Sequence, residues 1–142
     1  MKPVSSIIGT VSLMLSAIPL IACGAEESFG QREFRTRCAM CHGMTGRGDG
    51  WLAELLIKRP PPLTQLKRNS GGTFPRERIA QVIDGRTLIR SHGPSEMPVW
   101  GTIYRSEIEA TTGTRRGVRE EDEVNISYRI QALIEYLVAI QE

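Results

Sequence analysis

A chain of 142 residues, 40% hydrophobic and 24% charged, has the length and balance of one small globular domain, which excludes a disordered or collagen-like polypeptide. The net charge of +2 is unevenly divided: residues 31–90 carry twelve Lys/Arg against five Asp/Glu, and residues 91–142 carry five against nine. Aromatic residues make up only 6%, so the side chains alone offer a modest core, and no nucleophile–base pair points to hydrolysis or group transfer.

The first segment reads as a targeting sequence. Lys2 gives a positive start, Val4 to Ala22 is apolar with small residues interspersed, and no acidic residue occurs before Glu26. This is the pattern of a secretory signal. Its rival is a retained membrane anchor, because the run is close to the minimum that spans a bilayer. Pro19 and the small-residue exit favour cleavage. Leu20-Ile21-Ala22-Cys23-Gly24 resembles the bacterial lipobox, which implies a signal peptide over residues 1–22, cleavage before Cys23 and diacylation of its thiol. Cleavage after Gly24 or Ala25 would instead discard Cys23. Either route places the folded part, residues 26–142, outside the cytoplasm, in the periplasm.

The stretch Glu26 to Cys41 is compatible with a short helix. Phe29, Phe34 and Cys38 lie near one face, and Gly30 sits one turn below Phe34, where a residue without a side chain permits close approach by another helix. The stretch ends in Cys38-Ala39-Met40-Cys41-His42. Two cysteines separated by two residues and followed at once by histidine form the signature of c-type haem attachment. Each thiol adds across one haem vinyl group, one turn of chain sets the two sulfurs at those sites, and the imidazole of His42 coordinates the iron as proximal ligand. A CxxC pair also serves as a redox dithiol or as half of a zinc site. The dithiol expects a βαβ pattern that is not visible here. Zinc needs two further ligands, for which only Cys23 and His92 are spare.

Residues 43–50 hold four glycines in eight positions and form a loop, without the lysine-serine/threonine ending of a phosphate-binding loop. Its use next to an attached haem is backbone passing close to the porphyrin edge. Trp51 to Ile57 forms a short helical turn stopped by Pro60-Pro61-Pro62. A carbonyl near this run, with Pro62 the candidate, would accept the Nδ1–H of His42 and orient the ring. Leu63 to Leu66 follows as an extended segment. Phe74 to Gly85 is predicted helical, with Pro75 in the first turn, Ile79, Val82 and Ile83 as an apolar stripe, and Gly85 as the stop. It is expected to pack one wall of the haem pocket.

Ser91 to Gly101 is a loop constrained by two prolines and two glycines. Met97, directly before Pro98, is biased towards extended backbone and able to present its thioether to the distal side of the iron. Met1 and Met14 leave with the signal, and Met40 and Met44 lie too near His42 to reach the opposite face. Met97, His92 or an open position remain, and Met97 alone combines distance, chemistry and a rigid loop. Residues 105–123 are polar and read as a surface loop. The last helix has the strongest periodicity: Ile126, Ile130, Leu133, Leu137 and Ile140 share one face, widened by Ile134 and Val138, behind the acidic run 120–123. Tyr136 is placed to pack at Gly30.

Together these residues resemble the class I c-type cytochromes of bacterial periplasms. The attachment motif is the strongest element. Gly30 and Phe34 match the family's G-x-x-x-F/Y pattern in the first helix; Leu133, Tyr136 and Leu137 match L-x-x-Y-L in the last, which crosses the first. Met97-Pro98 looks like the family's distal loop. The resemblance implies an all-α fold of three or more helices around one covalently attached haem c, with Cys38, Cys41, His42 and Met97 binding the cofactor and His42 and Met97 ligating the iron. It implies single-electron transfer rather than catalysis, with redox proteins such as a quinol-linked complex, dehydrogenase or oxidase as partners and, if Cys23 is lipidated, a membrane tether. Nucleic acid is not an expected partner. The rival functions are a haem-based gas sensor with a labile distal site and a fixed haem subunit of a larger oxidoreductase.

Overall fold

The computed structural model describes residues 26–86, 97–113 and 119–142; the expected signal peptide, Cys23 and His92 lie outside them. Among the described residues every regular element is helical, and no helix is long and apolar enough to cross a membrane.

The first element is helix α1, Phe29–Glu33, started by Ser28, whose hydroxyl accepts the backbone N–H of Gln31 at 3.1 Å. The helix expected over residues 26–41 is not uniform. Phe34–Cys38 winds as a π segment, with the Ala39 N–H reaching back five residues to the Phe34 carbonyl, before α2, Ala39–His42. The extra residue in that turn changes the direction in which everything after it points, Cys38 and Cys41 included.

Short 3₁₀ turns follow at Ala53–Leu55 and Leu63–Gln65, the second running into α3, Leu66–Asn69. The extended conformation expected for Leu63 to Leu66 is therefore corrected. Pro62 stays extended at φ −65°, ψ 120°, and the three prolines end at that residue, leaving the next four free to coil. Helix α4, Arg76–Asp84, falls within the predicted span and stops at Gly85 in the left-handed region (φ 67°), whose N–H bonds the Gln81 carbonyl. Its stripe is narrower than expected: Ile83 is buried and Ile79 half-buried, but Val82 faces solvent.

The largest correction lies in residues 105–123. Instead of a surface loop, α5 runs over Trp100–Thr112 and α6 begins at Glu120. Trp100, Ile103, Tyr104 and Ile108 carry the helical spacing of α5, and all four are buried or packed on the core. The hydroxyls of Ser106, Thr111 and Thr112 bond carbonyls three or four residues back, so α5's polar side chains stay within the helix surface.

Helix α6, Glu120–Ala139, is the spine. Four acidic residues occupy its first turn, where they complement the helix dipole, and the Asp122 carboxylate accepts the Arg119 backbone N–H. Ile126, Ile130, Leu133, Ile134 and Leu137 form the buried face, and with Phe34, Ala39, Ile83, Trp100 and Tyr104 they make one core. Helix α1 crosses α6 at Gly30. A Cβ added there would lie 2.0 Å from the carbonyl oxygen of Ala132, so only glycine lets the two backbones approach this closely. Phe34 and Tyr136 close the crossing, ring centroids 5.0 Å apart.

Candidate haem-attachment site

Cys38 and Cys41 flank one turn of helix, three residues apart, and both are free thiols. Side chains so spaced are surface neighbours, with Cβ atoms roughly 5–6 Å apart. The turn is held from behind by the glycine loop. Backbone N–H groups of Leu52, Gly50 and Gly48 donate to the carbonyls of Met40, Cys41 and His42 at 2.9, 3.2 and 2.8 Å, satisfying the acceptors that a helix end leaves open. At Gly48, φ is 78° and an added Cβ would meet the Pro60 carbonyl oxygen at 2.2 Å, so the loop and the proline run press together there. The glycines thus serve to fold backbone over the attachment turn.

Burial shifts two of the motif side chains, Cys38 and His42. It pushes the Cys38 thiol up to about 12, helped by the Glu33 carboxylate and opposed by Arg37, so the group is a protonated thiol at neutral pH. Redox-active CxxC pairs have the opposite property, a nucleophilic cysteine with a lowered pKa. Burial pushes the imidazole of His42 down, which keeps it neutral, as an iron ligand must be. Its Nδ1 is buried without a hydrogen-bond partner, so the bond expected from Nδ1 to the Pro62 carbonyl is not formed. The turn that packs against the glycine loop engages Pro60, two residues earlier.

Met97 and Cys38 both pack, half-buried, against the one apolar cluster, alongside Leu63, Phe74 and Ile103. The segment after Met97 is fixed on α4: Gly85 lies against Val99, where an added Cβ would sit 3.3 Å from the Val99 Cα. His92 lies outside the described residues, which therefore leave its rivalry with Met97 as the sequence left it. Among the described residues no group of three or more His, Cys, Asp or Glu side chains is placed to hold a metal ion. The residues fit a covalently attached haem: two free thiols one turn apart, a neutral imidazole with a buried nitrogen that has no hydrogen-bond partner, and a thioether on the same core.

Beside Cys38 stands a charged cluster that the sequence reading missed. Arg129 of α6 donates to both oxygens of Glu33 at 3.2 and 3.0 Å and to Glu107 of α5 at 2.9 Å. Arg37 donates to both oxygens of Glu107 at 2.7 and 3.1 Å. Its Nε lies 3.2 Å from Glu33, close enough for charge attraction but poorly aligned for a hydrogen bond. The guanidinium of Arg129 stacks 3.9 Å above the ring of Tyr104, which is fully buried. Burial pushes the Tyr104 phenol up, with Glu33 and Cys38 adding to the effect. The only local signal for this cluster is the Glu33–Arg37 pair at i, i+4; its other members come from sequence-distant helices.

Compared with known proteins, the chain matches no family model, no curated protein and no solved structure.

Proposed function

We propose that this chain is an exported mono-haem c-type cytochrome that carries single electrons between redox proteins. The observation that carries the reading is the turn itself: Cys38 at the end of the π segment and Cys41 and His42 in α2, with Cys38 packed against the core that also receives Met97. The first and last helices crossing at Gly30 support it independently, since that crossing is what the resemblance implied.

When bound, the haem supplies a one-electron couple at its iron. The chain does the rest. Cys38 and Cys41 would hold the group covalently, and the neutral imidazole of His42 would ligate its iron. The thioether of Met97 would be a soft second iron ligand, of the kind that favours reduced iron and raises the potential. With His42 and Met97 both on the iron, the site would leave no place there for a substrate, which would suit a carrier rather than a catalyst. The core side chains Phe34, Trp100, Leu133 and Leu137 exclude water. Met40, Met44 and Trp51 are exposed around one hollow beside the attachment turn, and offer apolar area for the small, short-lived contacts of redox encounters. Lipidation at Cys23 would add a two-chain membrane anchor.

The test is expression of the full chain with haem-attachment machinery, followed by intact mass and electrophoresis under denaturing conditions. The protein should carry one haem that survives denaturation, and the double variant Cys38→Ser/Cys41→Ser should carry none. A wild-type chain with zinc or an intramolecular disulfide in place of haem would overturn the proposal.

A further inference from the structure

The charged cluster beside the attachment turn joins the two sides of the proposed site. Arg37 immediately precedes Cys38, whereas Glu107 belongs to α5, the helix that starts three residues after Met97. Arg129 reaches both Glu33 and Glu107 and covers the ring of Tyr104, and Arg37 lies 5.5 Å from that ring and 6.0 Å from Trp100. Two guanidinium groups and two carboxylates thus hold α5 against the α1–α6 pair around a buried aromatic post. Side-chain exposure of 14% for Arg129 and 10% for Glu33 makes this more than a surface pairing. Removing one member leaves the others charged and poorly solvated.

We propose that Glu107 and Arg129 are positioning residues for Met97: by fixing α5 to the helix that bears Cys38, they set where the thioether stands relative to the attachment turn. The proposal rests on the haem reading. It assigns the cluster a task distinct from general stability, because α5 is the element whose start carries the distal ligand's segment. The Asp84–Arg86–Glu123–Arg105 group fixes the other flank of α5 to α4 and α6, so loss of Glu107 should tilt the helix rather than release it.

The experiment compares the holoprotein with its Glu107→Gln variant, in the wild-type and Met97→Ala backgrounds. The readouts are the long-wavelength iron–methionine band of the oxidised form and the rate of carbon monoxide binding to the reduced form. Glu107→Gln should retain covalent haem, weaken the band and bind carbon monoxide about tenfold faster, the size of effect expected from one lost charge partner. In the Met97→Ala background the same change should alter the rate by less than about twofold, because there is no thioether left to misplace. An unchanged band and rate in Glu107→Gln, or the same acceleration in both backgrounds, would overturn the proposal. If Glu107→Gln does not fold, Arg129→Lys, which retains the charge but loses the second carboxylate, should show the same effects at about threefold; its silence overturns the proposal equally. A wild-type protein with no methionine band and rapid carbon monoxide binding would overturn the Met97 assignment itself, and the positioning role with it.

Discussion

Helices α1 and α5 are both mounted on α6, by different forces. Helix α1 is held mainly by shape, with one ion pair at its end: Gly30 brings its backbone onto that of Ala132, Phe34 and Tyr136 fill the angle, and Glu33 pairs with Arg129. Helix α5 is held by two apolar anchors, Trp100 and Tyr104, and by charge on both flanks, Glu107 to Arg37 and Arg129 on one side and Arg105 to Glu123 on the other. The difference matches their tasks in the proposed function. In that proposal the α1–α6 crossing would bear the covalent attachment turn and have only to stay packed. Helix α5 would follow the segment of the second iron ligand, and a mount made of directional hydrogen bonds fixes orientation where apolar contact alone would allow sliding.

The crossing should break hardest. Gly30→Val drives a branched side chain into a backbone carbonyl that has no room to move, and should lower stability by about 3 kcal/mol in urea unfolding. Arg129→Met should cost about 2 kcal/mol, because it strips Glu33 and Glu107 of a shared partner while preserving much of the contact with Tyr104. Acid should act first on the α5 mount, which two carboxylates hold. The carboxyl of Glu107 is pushed up by burial but held below its ordinary value of 4.5 by Arg129 and Arg37; that of Glu123 is held down mainly by Arg86. A group whose folded pKa is depressed contributes stability above its unfolded value and loses it as pH falls through the folded one. The emission of Trp100 in a Trp51→Phe background should therefore change from about pH 4.5 downward, before the helical signal of α6 falls. Simultaneous loss of both signals would show that the two mounts do not differ.

The same contrast explains what could be read in the chain. The crossing was legible because its determinants are local patterns: a glycine one turn from Phe34, and Leu133, Tyr136 and Leu137 on one face of a long amphipathic run. The helical backbone at Cys38 to His42 was legible too, as the end of the helix expected up to Cys41. Helix α5 was not, because Arg105 and Glu107 read as solvent-seeking when their partners lie 18 or more residues away, and the threonines, bonded to carbonyls within the helix, read as loop. The stripe Trp100–Tyr104–Ile108 was the signal available, and the polar run obscured it. The π segment has no sequence mark at all, since it answers to how Phe34 and Cys38 must both face the core.

The most direct test of haem ligation by His42 and Met97 is the optical spectrum of the full holoprotein, oxidised and reduced, with and without carbon monoxide. The proposed function requires c-type bands on reduction, an iron–methionine band on oxidation that disappears in Met97→Ala, and no shift with carbon monoxide. A protein that carries the haem, lacks the methionine band and binds carbon monoxide readily would be a ligand-binding sensor, and the electron-carrier proposal would be wrong.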